Sequence, residues 1–115
     1  MQTIIIKRVY NSKTADGSYR ILVDRLWPRG IRKIDLQIDE WNKEIAPSLA
    51  LRKWFNHQKE RFEEFSKLYI QELMKKTDEL NRLKIIAGTQ DVTLLYGARH
   101  PQINHAIILK DYLSN

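Results

Sequence analysis

Cysteine is absent from the chain, which removes a disulfide framework, a thiolate zinc site and a thiol nucleophile together. The spacing of His57, His100 and His105 does not form a His-Glu-x-x-His pattern, and neither standard glycine-rich phosphate loop is present. No cofactor or metal is therefore expected. No apolar run approaches the roughly 20 residues needed to span a bilayer, and there is no internal repeat or low-complexity segment. The opening Met-Gln-Thr-Ile-Ile-Ile has no charged region ahead of it and no small-residue cleavage site after it. It reads as a strand and not as a signal peptide, so a cytoplasmic location and no membrane partner are expected.

What remains is a chain of 115 residues that is 43% hydrophobic and 30% charged, enough for one core and too short for two. A single domain over residues 1–115 is expected. Lys and Arg number 20 against 14 Asp and Glu, for a formal charge of +6. Because this excess is dispersed along the chain, it favours anionic partners without specifying one.

The pattern along the chain alternates strands with helices. Residues 3–9 are rich in β-branched side chains and end at the turn-forming stretch 11–18, which predicts a strand and a loop. Tyr19 to Asp24 has a continuous apolar centre, as expected of a strand covered on both faces. Pro28 lacks an amide donor and Gly30 permits unusual backbone angles, so pairing should stop in a shaped loop. A helical turn is expected near Lys33 to Gln37, then a third strand within Asp39 to Ile45. Ser48 suits the N-cap of a short helix over Leu49 to Phe55. Phe62, Phe65, Leu68, Tyr69 and Leu73 fall three or four apart within an amphipathic helix from Lys59 to Lys76. Thr77 is expected to cap another helix through about Ala87, with Gly88 beyond its end. Val92 to Tyr96 reads as a buried strand, and Pro101 as the first residue of a last helix. This order predicts an α/β fold, a small three-layer sandwich in which helices flank a mostly parallel sheet of about four strands. The short connection from Val9 to Tyr19 leaves an antiparallel first pair open.

In such sheets ligands gather beyond the carboxyl ends of the strands. Those ends deliver Asp24-Arg25-Leu26-Trp27-Pro28-Arg29-Gly30, Ala46-Pro47-Ser48 and Gly97-Ala98-Arg99-His100-Pro101. Arg25 and Arg29 flank a rigid Trp27-Pro28 pair and offer forked donors suited to phosphate or carboxylate. The structural alternative is that Asp24 pairs with one arginine to lock the loop while Trp27 fills the core. Asn104 and His105 fall early in the last helix, where Asn104 would orient an anion and His105 or Asp24 would move a proton. Ser48, Tyr96 and Arg99 complete the candidate ligand-binding set. The aromatic residues are not interleaved with a basic stripe and suit core or dimer packing better than base stacking.

Taken together, the Asp24–Gly30 block, Ala46-Pro47-Ser48, Leu51-Arg52-Lys53-Trp54-Phe55 with His57, Thr93-Leu94-Leu95-Tyr96 and Asn104-His105-Ala106 resemble the YeaO-like proteins. These are a short branch of bacterial domain-of-unknown-function family 488, and the resemblance covers nearly the whole chain. It implies an α/β fold with these residues near one another, and no settled activity. The chain departs from the pattern at Gln58, where family members often carry Asp, and at His100, where they carry an acid. Longer relatives carry cysteine at the position of Asn104, so the resemblance transfers no thiol chemistry.

The expectation is thus a small-anion binding domain or enzyme, for a phosphorylated or nucleotide-like ligand, acting as a monomer or homodimer. A nucleic-acid-associated or regulatory protein using the dispersed charge is the first alternative. A protein-interaction module presenting Trp or Phe is the second.

Overall fold

The computed structural model describes residues 3–114. The parts of the first-strand and last-helix expectations that fall on Met1, Gln2 and Asn115 lie outside the described residues. Four strands, β1 (Ile4–Arg8), β2 (Tyr19–Leu22), β3 (Glu40–Trp41) and β4 (Val92–Tyr96), form one sheet in the order β1-β4-β2-β3. All three pairings are parallel. Four α-helices, α1 (Leu49–Phe55), α2 (Phe62–Met74), α3 (Thr77–Thr89) and α4 (His105–Ser114), and three 3-10 turns complete the described elements.

The short connection after β1 does not make an antiparallel pair. β4 inserts between β1 and β2, so residues 9–18 cross over it and return parallel. That crossover is held by a buried cation. Arg20 is 1% exposed and donates to the carbonyls of Gln37 and Ser12, the Ser12 hydroxyl and Asp16.

Because side chains alternate across a strand, β4 feeds two cores. Val92, Leu94 and Tyr96 join Ile21 and Val23 beneath the four helices. Leu95 joins Leu22, Val9, Ile31 and Leu36 on the opposite face. The sheet is therefore sandwiched, with α-helices on one side and loops with 3-10 turns on the other. Burying each of these aliphatic side chains contributes about 1.5–3 kcal/mol.

α1 begins where Ser48 was expected to cap it, the hydroxyl accepting the Leu51 amide. α2 directs Phe65, Tyr69 and Leu73 inward at four-residue spacing, and Phe65 stacks on Phe55 with ring centroids 4.2 Å apart. The buried Tyr69 hydroxyl donates to the Ile45 carbonyl, and burial holds its phenol well above the ordinary value. Four boundaries differ from expectation. Thr77 does not cap α3 but is its first residue, the cap position being Lys76 without a side-chain bond, and the Thr77 hydroxyl turns back to donate to the Met74 carbonyl. The Lys59–Arg61 turn is 3-10 before α2 starts. Gly88 lies inside α3, without a left-handed backbone, and the helix ends when Gln90 becomes extended. Pro101 precedes α4, which starts at His105 because the Asn104 side chain accepts the Ile107 amide and so occupies the cap.

Candidate functional site

The register of the sheet sets the site. Arg8 pairs with Tyr96 and Leu22 with Leu95, while the Val23 amide bonds the Leu95 carbonyl. Three strands therefore end level, and the segments after them open onto one cleft of about 950 Å³. Its lining includes Asp24, Arg25, Trp27 and Arg29 from the loop after β2, and Arg99 with His105 from the segments after β4.

Asp24 sits at the centre of the edge. One carboxylate oxygen accepts the Gly97 amide at 2.8 Å, tying the end of β2 to the end of β4. The other is buried, 3.2 Å from His105 Nε2. His105 Nε2 also lies 2.8 Å from the Val23 carbonyl. A carbonyl only accepts, so Nε2 carries a proton and donates it to Val23. The contact with Asp24 is not a hydrogen bond, and Asp24 Oδ1 has no hydrogen-bond partner among the described residues. The imidazole ring meets Tyr69 edge-on.

No arginine among the described residues pairs with Asp24. Arg25 instead donates to the Pro47 and Ala46 carbonyls at 2.9 and 3.0 Å, fixing the loop after β3 against the loop after β2. Trp27 closes its own turn through a 2.6 Å bond to the Ile31 carbonyl and meets Trp41 edge-on at 5.2 Å. Gly30 takes a left-handed angle of 84° to complete that turn. With Trp27 and the buried Pro28 anchored, Arg29 is left exposed; its carbonyl accepts from the Tyr10 hydroxyl. Arg99 is likewise exposed.

The three other candidates do not line the cleft. Ser48 caps α1 and donates to Glu72 at 2.6 Å, Tyr96 is buried in the helix-side core, and Asn104 is buried with its amide donating to the His100 carbonyl. Burial raises the Tyr96 phenol above its ordinary value.

The cleft also contains side chains that sequence reasoning did not select. Arg8 reaches it from the end of β1, donating to the Ala98 carbonyl and lying over the Tyr10 ring at 4.6 Å. Arg52 and Lys59 enter from the helix side together with Phe55 and His57. His57 follows Asn56 in a pair of left-handed residues that ends α1. His100 accepts the Gln102 and Ile103 amides through Nδ1. Arg8 carried one signal in the sequence, its place as the last residue of a strand. Arg52 carried a signal only through the family resemblance, which implied that its segment lies near the Asp24–Gly30 block, and Lys59 carried none, because its approach to the edge depends on helix packing.

Six cationic side chains thus face one carboxylate in the cleft, and all three histidines of the chain line it. Among the described residues, Arg29, Arg52, Lys59 and Arg99 have no carboxylate partner. Arrays of forked donors without counter-charge suit an anionic ligand. No group of three or more metal-ligating side chains occurs among the described residues, and no described helix is long and apolar enough to cross a membrane.

The sequence matches DUF488-N3i, described as the inactive DUF488-N3 subclade, over residues 3–115. It is 50% identical over 107 residues to the uncharacterised protein YeaO of Escherichia coli strain K12, covering 93% of each chain. It is 41% identical over 109 residues to the uncharacterised proteins Rv3073c of Mycobacterium tuberculosis strain H37Rv and Mb3100c of Mycobacterium bovis, covering 95% of this chain and 92% of each relative. No solved structure matches the chain.

Proposed function

Because this chain belongs to the inactive DUF488-N3 subclade, we propose that it is a single cytoplasmic domain that binds a small anionic molecule in the strand-end cleft without transforming it. The carrying observation is the charge imbalance, six cationic side chains against the Asp24 carboxylate. Arg29 and Arg99 are the exposed donors of the sheet-loop side, and Arg25 holds the edge in shape through the carbonyls of Ala46 and Pro47. In this reading Asp24 and His105 position the loops. The amide of Gly97 and the carbonyl of Val23 already engage them, and the description of the subclade as inactive agrees with that role.

Calorimetric titration of inorganic phosphate, small carboxylates and a short DNA duplex at low and moderate salt tests the proposal, with wild type compared to Arg29→Ala. Removing one charge-assisted contact is expected to weaken small-anion binding about tenfold or more, with the fold retained. DNA binding that falls steeply with salt and is equal in the variant, without small-anion binding, would move the assignment to a nucleic-acid-associated protein.

A further inference from the structure

We infer that Arg8, Arg29 and Arg99 close on one anion at the loop-side corner of the sheet edge, and that this anion is a terminal phosphate group carrying two negative charges. The inference rests on the small-anion reading above and adds Arg8 to its donors. Two contacts made by residues at the end of β1 and in the turn after it fix the corner. Arg8 Nε donates to the Ala98 carbonyl at 3.1 Å, holding the backbone beside Arg99. The Tyr10 hydroxyl donates to the Arg29 carbonyl at 2.8 Å. Arg8 and Tyr10 also pack on each other, the guanidinium carbon 4.6 Å from the ring centroid, and stacking of this kind holds a guanidinium in place. The backbones that carry Arg29 and Arg99 are therefore tied to two side chains in mutual contact, and all four residues line the cleft.

The charge at this corner selects among anions. None of the three arginines has a carboxylate partner among the described residues. The Arg8 side chain makes one hydrogen bond among them, through Nε, so its forked terminal nitrogens are left for a ligand. Asp24, the one carboxylate of the cleft lining, is turned inward. One of its oxygens takes the Gly97 amide and the other is buried beside His105. Three guanidinium groups less that one carboxylate leave two positive charges. A phosphate monoester at pH 8 carries close to two negative charges, its second pKa being about 6, and presents three acceptor oxygens. Forked donors meet those oxygens in pairs. A phosphodiester or a carboxylate brings one charge and leaves the corner short of neutral.

Titration calorimetry at pH 8 and fixed ionic strength tests this with hexyl phosphate, its methyl diester, heptanoate and inorganic phosphate, using wild type, Arg8→Gln, Arg29→Ala and Arg99→Ala. Hexyl phosphate is expected to bind the wild type about tenfold or more tightly than the diester or heptanoate. Each substitution should weaken hexyl phosphate about tenfold or more and narrow its advantage over the diester. Inorganic phosphate will match hexyl phosphate if the natural ligand is free phosphate, and fall below it if the phosphate is borne on an organic group. Arg8→Gln keeps a donor for the Ala98 carbonyl while removing the charge, and Arg29 and Arg99 are exposed, so wild-type melting temperatures are expected. Should Arg8→Gln melt early, Arg99→Ala and the diester comparison still decide. Wild-type affinity in Arg8→Gln or Arg99→Ala, with Arg29→Ala weakened, overturns the three-arginine site and leaves the small-anion reading standing. Equal binding of hexyl phosphate and its diester does the same to the doubly charged ligand. Failure of every anion to bind the wild type overturns both readings.

Discussion

Arginines on the cleft and arginines away from it occupy opposite electrostatic settings. Arg82 on α3 meets Glu40 through Nη1 and Nη2 at 3.1 and 2.6 Å and Glu79 through Nε and the same Nη2 at 2.8 and 2.5 Å. Hydrogen bonds to Glu40 first and Glu79 next hold its guanidinium above the ordinary value. Burial alone would raise the Glu40 carboxyl, but Arg82 and Tyr19 outweigh it and hold the group below its usual value. Arg20 is buried and satisfied by the crossover it secures. Arg29, Arg52 and Arg99 are exposed and have no carboxylate partner among the described residues. The same guanidinium thus serves as an internal fastener where counter-charge and carbonyls surround it, and as a free donor where they are missing. Since local charge density does not separate the two, the arrangement of acids in space does.

The largest effect expected from breaking this contrast is at Arg20. Arg20→Ala strands the carbonyls of Ser12 and Gln37 and leaves Asp16 short of a partner, at an expected cost of about 3–5 kcal/mol in chemical denaturation. Arg29→Ala should stay within about 0.5 kcal/mol of wild type in the same assay. Similar losses in the two variants would erase the distinction between fastener and free donor.

Gly97 offers a sharper probe of the edge. A Cβ there would stand 2.9 Å from the Asp24 carboxylate oxygen that accepts the Gly97 amide. Gly97→Ala is expected to cost about 1–3 kcal/mol and to weaken phosphate binding by displacing Asp24. Wild-type stability together with wild-type affinity would show that this contact does not shape the cleft.

The smallest effect concerns acid sensitivity on the paired side. Hydrogen bonding from the Ser18 hydroxyl, opposed by partial burial and assisted by the Ser18 amide and Lys7, holds the Asp16 carboxyl well below the usual range. A folded-state value below the unfolded one stabilises the protein above the unfolded value near 4, and that contribution disappears as pH falls further. Asp16→Asn should therefore lower stability at neutral pH by less than about 1 kcal/mol, in keeping with a solvent-screened pair. It should also reduce the loss between pH about 5 and 2. Parallel denaturation curves across that interval would assign the acid sensitivity elsewhere.

Much of the fold was legible because its signals are local. Three- and four-residue spacing placed α2, Ser48 placed the start of α1, and the apolar run at Val92 to Tyr96 placed the central strand. The exact start of α4 was not legible. Pro101 gave the expected signal for a first helical residue, but Asn104 competes successfully as the cap. The loop Asp24–Gly30 was identifiable from its unusual composition, whereas the partners of its residues were not. Arg25 could as well have paired with Asp24 as with the carbonyls of Ala46 and Pro47, and only the approach of the loop after β3 decides. Ser48 and Asn104 were selected for chemistry that fits an anion, and that same chemistry caps helices.

The sequence by itself determined the succession of strands and helices, the overall positive charge and the rigid Trp27-Pro28 turn, because periodicity, capping and backbone restriction act among near neighbours. Tertiary structure decided that β4 lies between β1 and β2, and with it the meeting of Arg8, Asp24 and Gly97 at one edge. It also decided which arginines find acids and which remain free. Strand order and charge pairing depend on groups distant in the chain, and only the packed sheet brings them within the few ångströms over which hydrogen bonds and ion pairs act.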